Sequence, residues 1–296
     1  MQIKDFMVDQ SFKELTEHRT VVLPIACYET TINQNINGYI PLHWHDEFQF
    51  VFVVHGEAIF QINEDIIFVQ EGEGVFINSG CLHMAKDKNN SDCAYICINV
   101  SPSFVLSQEL YTTYVKPYFQ ATNLPYLFLD PKELWANTIL NYILKIKQLI
   151  KQNSPFYEID VSLFLTLIWK NLIINGIELE YEQTVVVKSN RMKQMINWIH
   201  THYNEKILLD DIARAGQLSR SECCRYFKRI LKTTPLNYVT VYRIQKSLIL
   251  LQQPESNVTD VAYQVGFNST SYFIDKFRKS MKMTPLAYKK QKIRSL

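Results

Sequence analysis

The sequence contains no run of about 18 uninterrupted apolar residues, the length a membrane span needs, and Met1 to Asp9 mixes Lys4, Asp5 and Asp9 among its apolar residues where a signal peptide would build a core. These absences point to the cytoplasm and away from a membrane partner. C-x-x-C spacing is also lacking among the six cysteines (Cys27, Cys81, Cys93, Cys97, Cys223, Cys224), and their scatter is unlike the disulfide frame of a small secreted protein. They are expected to be reduced thiols acting as small hydrophobes. Net charge is nearly absent too, at +2, but it is the sum of opposites. From Lys188 to the end, 20 Lys and Arg face 7 Asp and Glu; the rest carries 11 basic against 22 acidic residues. A basic third joined to an acidic two-thirds is the signature of a polyanion-binding module attached to something that avoids polyanions.

A chain of 296 residues suggests two domains at roughly 100–200 residues each. From about residue 20 to 100, β-branched and aromatic runs such as Phe48 to Val54, Ala58 to Ile62 and Gly74 to Ile77 alternate with Asn37-Gly38, His55-Gly56 and Gly72-Glu73-Gly74. Many short strands with frequent turns predict a barrel or sandwich. From Pro131 the apolar spacing becomes helical, with Trp135, Ile139, Tyr142, Ile143, Ile146, Leu149 and Ile150 on one face. A second helix, between Ile159 and Ile174, is apolar nearly all round, so it is expected either to be buried against the barrel or to meet another subunit. Gly176 to Ser189 has no clear helical face and reads as a linker.

The basic third repeats itself. Phe227-Lys228-Arg229-Ile230-Leu231-Lys232-Thr233-Thr234-Pro235-Leu236-Asn237-Tyr238 recurs fifty residues on as Phe277-Arg278-Lys279-Ser280-Met281-Lys282-Met283-Thr284-Pro285-Leu286-Ala287-Tyr288. Upstream of each copy, Asp211 to Gly216 and Asp260 to Gly266 read as a short helix stopped near a glycine. A new helix follows, capped by the S-x-x-E box of Ser219 and Glu222 in the first copy and by Asn268, Ser269 or Ser271 in the second. Short helix, tight turn and second helix make a helix-turn-helix, and two such units joined by a helix from about Leu236 to Leu251 (Val241, Ile244, Leu248 and Leu251 on one face) can address major-groove segments about 34 Å apart.

The stretch from Met192 to Tyr288 resembles the DNA-binding domain of the AraC/XylS family of bacterial regulators. The resemblance rests on Ile212-Ala213, Leu218-Ser219-x-Ser221, Phe227-Lys228, Thr234-Pro235-x-x-Tyr238, Arg243-Ile244, Val261-Ala262, Gly266-Phe267-Asn268, Ser271-Tyr272-Phe273, Phe277-Arg278-Lys279 and Thr284-Pro285-x-x-Tyr288. Where family members usually carry glycine two residues before Thr-Pro, this chain has Lys232 and Lys282. A left-handed lysine costs roughly 1–2 kcal/mol, so altered helix ends are expected there. By position on the recognition helices, Arg220, Ser221, Cys224 and Arg225 are the candidate readers of the first unit, and Thr270, Ser271, Ile274 and Asp275 those of the second. Arg225 leads, because a guanidinium pairs bidentately with guanine O6 and N7; Asp275 could only accept from cytosine. Lys228, Arg229, Lys276, Arg278 and Lys279 are assigned to phosphates, and Phe227, Phe277, Tyr238 and Tyr288 to the core.

In the N-terminal half, His43-Trp44-His45, Gln49, Gly56 and His83 resemble the metal-binding motifs of cupin barrels, with His43, His45 and Gln49 on one strand face. Gln49 stands where a carboxylate is expected, and Asn78-Ser79-Gly80 replaces the proline-bearing turn, so the histidines are expected to be polar lining, with no metal and no cofactor. The resemblance implies an effector, a sugar or other metabolite, near Tyr28, His43, His45, Gln49 and His83. It also implies a homodimer through the two helices from Pro131 to Asn175. The expected fold class is α+β: a cupin-like β-barrel over 1–130, a helical dimerisation segment over 131–175, a linker over 176–189 and an all-α double helix-turn-helix over 190–296. The expected function is a non-enzymatic, effector-controlled transcription regulator acting on double-stranded DNA, with RNA polymerase as a partner if it activates. The alternative is a metal-dependent cupin enzyme with a DNA-binding appendage, which the missing carboxylate disfavours. An effector-free architectural DNA-binding protein is a third reading, separable by ligand-dependent DNA affinity.

Overall fold

The computed structural model describes residues 13–35, 38–174, 177–253 and 255–293, which form two compact units, Met1–Val186 and Val187–Leu296. In the first, β1 (Ile25–Thr31), β3 (Phe48–His55), β6 (Gly74–Ile77), β8 (Ala94–Val100) and β9 (Tyr126–Leu129) form one antiparallel sheet in the order β1-β8-β3-β6-β9. A second sheet, β2-β7-β4-β5, is built from β2 (Ile40–His43), β4 (Glu57–Ile62), β5 (Asp65–Gln70) and β7 (His83–Asp87). Among the described residues no ladder joins the two sheets, so the expected cupin-like barrel is an open two-sheet arrangement.

Side-chain alternation explains why the larger sheet is apolar on both faces. Phe48 and Phe50 of β3, with Ile96, Ile98 and Val100 of β8, pack against helices; Val51, Val53, Tyr95 and Cys97 belong to the core shared with the second sheet. The helices are α3 (Leu134–Gln152) and α4 (Tyr157–Ile173), which follow the short α1 (Gln108–Tyr114) and α2 (Lys116–Gln120). Trp169 of α4 stacks on Phe48 with ring centroids 4.9 Å apart, and its indole N–H donates to the Tyr114 carbonyl at 2.8 Å. The apolar surplus of α4 is thus mostly spent on the sheet, through Val161, Leu165, Ile168, Trp169 and Leu172.

The second unit holds α5 (Gln183–His202) from Val187 onward, then α6 (Leu209–Ala215), α7 (Arg220–Ile230), α8 (Pro235–Leu251), α9 (Val258–Gln264), α10 (Thr270–Met281) and α11 (Pro285–Ile293). Helix α5 takes up residues 183–189 of the expected linker. In α8 the buried residues are Pro235, Val239, Ile244, Ser247 and Leu251, while Val241 is 39% exposed, so the expected face is turned toward Val239. Ile244 and Leu251 share a core with Phe273, Phe277 and Tyr288, and Phe227 is buried in the first unit of the repeat. Tyr238 is only half-buried, its hydroxyl 2.7 Å from His200 Nε2.

Lys232 (φ 54°) and Lys282 (φ 58°) keep the left-handed helix ends that glycine would favour, contrary to the altered ends expected. The thread of the repeat is retained and the Cβ strain accepted. Lys232→Gly and Lys282→Gly should therefore each stabilise the chain by about 0.5–1 kcal/mol, the relieved strain less the added entropy of the unfolded chain. Urea denaturation of the full chain would show this, and an unchanged or lower midpoint would mean that contacts of the lysines outweigh the strain.

Candidate functional site

Two sites emerge, one in each unit. In the second unit, α7 begins at a reciprocal cap: the Glu222 N–H donates to Ser219 Oγ at 3.3 Å, and the Ser219 N–H donates to Glu222 Oε2 at 3.1 Å. Cys223, Phe227 and Ile230 point into the core, leaving Ser221, Arg225, Lys228 and Arg229 exposed, with Cys224 half-buried. Helix α10 is capped by Ser269, which accepts from the Tyr272 N–H at 3.3 Å. Its Phe273 and Phe277 are buried, and Ser271, Asp275, Arg278 and Lys279 are exposed. Thr270, Ile274 and Lys276 are half-buried. The helix-turn-helix repeat thus turns equivalent stripes outward, at positions fifty residues apart.

The stripes differ in charge. Arg225, Lys228 and Arg229 make that of α7 basic, whereas on α10 Asp275, paired with Lys279 at 2.9 Å, offsets part of the second stripe's positive charge. Arg220 is held by a two-pronged contact to Asp210 of α6, which makes it a clasp between α6 and α7. That hydrogen bond and its charge keep the exposed Asp210 carboxyl below the ordinary carboxylate range.

In the first unit the structure brings together the five expected effector residues. Tyr28, His43, Gln49 and His83 line a small cavity, and His45 adjoins it. The strand β2 delivers His43 opposite His83 of β7, and the turn after β2 delivers His45. Three ring nitrogens have fixed jobs. His43 Nδ1 lies 2.8 Å from the Pro41 carbonyl, His45 Nδ1 3.1 Å from that of Glu47, and His83 Nδ1 2.8 Å from that of Cys81. Each carbonyl can only accept, so each Nδ1 carries the proton and each Nε2 presents a lone pair. Burial pushes the His45 and His83 rings well below the ordinary imidazole range, helped at His45 by His83 and His43, and it lowers His43 despite Glu14. Burial thus favours the uncharged form of all three, and their ligand nitrogens lie within 4.8 Å of one another.

The residues missed in the sequence are Glu14 and His18. Lys13 and Glu14 run beside Trp44, with the Glu14 N–H donating to the Trp44 carbonyl at 2.8 Å and Lys13 paired to Asp46. This places the Glu14 carboxylate 3.7 Å from His43 Nε2 and 3.1 Å from His18 Nε2. Burial alone would raise the Glu14 carboxyl, but the His18 hydrogen bond and the neighbouring imidazoles outweigh it and hold the group below the ordinary range. His18 is held in turn by the Asn99 amide and the Tyr28 hydroxyl, each 3.2 Å from it. Among the described residues, four buried atoms of this cluster have no hydrogen-bond partner: Glu14 Oε1, His45 Nε2, His83 Nε2 and Gln49 Oε1. The cavity has a volume of about 20 Å³, room for one water or one ion and far below the roughly 300–1,000 Å³ of a metabolite pocket.

A helix-turn-helix domain model matches residues 212–291, and an AraC-like ligand binding domain model matches residues 27–166. A Bacillus subtilis strain 168 protein, the HTH-type transcriptional regulator YdeC, is 69% identical over 97% of this chain and 99% of its own. The HTH-type transcriptional activator RhaS of Escherichia coli O139:H28 is 22% identical over 83% of this chain and 86% of its own. Among solved structures, apo ToxT of Vibrio cholerae covers 93% of this chain and 98% of its own at 15% identity, with a TM-score of 0.43.

Proposed function

Because the chain belongs to the AraC family of helix-turn-helix transcriptional regulators, we propose that it selects its operators chiefly through Arg225 on α7, under control of a ligand held between its sheets. The observation that carries this reading is the pair of matching exposed stripes, basic on α7 and part-neutralised on α10. Lys228, Arg229, Lys276, Arg278 and Lys279 serve as phosphate contacts, and Ser221, Cys224, Thr270, Ser271 and Ile274 border the base edges. Arg220 contributes through its clasp to Asp210. The protein acts in the cytoplasm, where its DNA lies; no helix among the described residues is long and apolar enough to cross a membrane.

Dimerisation is supported by what α4 leaves uncovered. Phe156 at its N-terminal cap and Ile159 and Leu163 on the helix are 76%, 67% and 54% exposed, apolar surface suited to a second copy. The enzyme reading is disfavoured because a cavity of about 20 Å³ has no room for a substrate beside the histidines. For the same reason a sugar-sized effector requires the Glu14–His18 segment to move aside.

The test is binding of the full chain to genomic fragments at two salt concentrations. Selective retention is expected, with log K falling against log salt at a slope of about −4 to −5 per chain for five phosphate contacts. Equal binding to all fragments would overturn sequence reading and leave only an architectural role.

A further inference from the structure

We infer that Glu14, His43, His45 and His83 form a binding site for one divalent first-row transition ion, and that the ion fastens residues 13–19 to the sheets. The inference deepens the ligand-binding part of the function proposed above and rests on it only for its regulatory meaning. Three imidazoles and one carboxylate are a donor set such ions accept. The backbone carbonyls of Pro41, Glu47 and Cys81 aim the rings, the orienting role that outer partners play at metal centres. His18 does the same for the carboxylate by hydrogen-bonding Glu14 Oε2.

The alternative, that these are polar groups lining a pocket, leaves lone pairs without partners. His45 Nε2, His83 Nε2 and Glu14 Oε1 are buried, lack hydrogen-bond partners, and belong to residues only 3%, 3% and 5% exposed. Burying acceptors in this way costs their full desolvation unless something satisfies them. Acceptors cannot satisfy one another, so a donor or a cation must sit among them. One water offers two protons to three such atoms, whereas a cation serves all of them. Bonds of about 2.0–2.1 Å place tetrahedral donors about 3.3 Å apart, and the histidine nitrogens already lie within 4.8 Å. Glu14 joins the three imidazoles through the 3.7 Å approach of its Oε2 to His43 Nε2 and a carboxylate oxygen within 4.8 Å of a His45 nitrogen, and an ion held by four protein ligands suits holding a segment and not catalysis.

The experiment uses the full, untagged chain, stripped with a chelator, equilibrated with Zn(II) or Co(II), and assayed by elemental analysis and visible absorption. One ion per chain is expected, with Co(II) giving the intense d–d bands of a four-coordinate site. His83→Ala should abolish binding, Glu14→Gln should weaken it at least about 10-fold, and His55→Ala, an exposed histidine elsewhere, should leave it unchanged. Metal should also slow tryptic cleavage after Lys13 and Arg19 in the wild type but not in Glu14→Gln. Circular dichroism melts check that the variants fold. Substoichiometric uptake by the wild type, or binding indifferent to His83→Ala or to Glu14→Gln, would overturn the site. Operator binding is measured on the same preparations: a chain that selects DNA but takes no metal loses this inference and keeps the regulator reading.

Discussion

Arg225→Ala is expected to weaken operator binding by about 5- to 150-fold, the 1–3 kcal/mol of one bidentate base contact, and to relax specificity at a single base position. Arg225 is exposed on α7 between the cap at Ser219 and the buried Phe227, so its loss should leave the helix intact. The comparison that gives the result meaning is Lys228→Ala. A phosphate contact should weaken all sequences alike and lower the salt slope by about 1. Electrophoretic mobility shifts on the selected operator and on base-substituted versions separate the two patterns. If Arg225→Ala lowers affinity uniformly, with no position relaxed, Arg225 is a phosphate ligand and readout lies elsewhere on the stripe.

Gly266→Ala should cost more than about 3 kcal/mol and remove the second helix-turn-helix from use. At φ +88° any Cβ is strained, and this one would lie 2.5 Å from the Tyr203 carbonyl oxygen and 2.8 Å from Asn204 Cα. These are backbone atoms, and they are pinned: Arg243 of α8 donates from Nε to the Tyr203 carbonyl and from Nη2 to that of Glu205, both at 2.6 Å. The loop has nowhere to go. Gly72→Ala is the control, since Gly72 has a similar φ of +86° but nothing within 4 Å of its absent Cβ. It should cost only the strain, about 1–2 kcal/mol. Urea titrations of both variants followed by circular dichroism measure the difference, and equal costs would show that the Tyr203–Glu205 loop yields.

What could be read from the residues was whatever is local or repeated. The Ser219–Glu222 cap spans three residues, and the fifty-residue echo of Phe227 in Phe277 exposes two equivalent helices. Phase was harder. Val241 and Val239 are both compatible with an apolar face of α8, and only packing against α6 and α7 selects one. Residues 183–189 looked like linker because Val185, Val186 and Val187 are β-branched and make no stripe; neighbouring turns of α5 carry them. Glu14 was illegible. It meets His43 across twenty-nine positions through a bridge of Lys13 to Trp44, and nothing in its own neighbourhood marks it as a partner of histidines. The carboxylate that the strand pattern lacked at Gln49 comes from another part of the chain.

Helix α8 packs against α6 and α7 on one side and α9 and α10 on the other, and its Arg243 grips the loop that Gly266 abuts. The two readers therefore keep one separation and one relative tilt. Double-helical DNA must meet that geometry by bending or twisting, and the energy of doing so depends on base steps that no side chain touches. Flexible TA or CA steps in the untouched spacer should then strengthen binding and stiff A-tracts weaken it, so part of the operator's information is written in its mechanics.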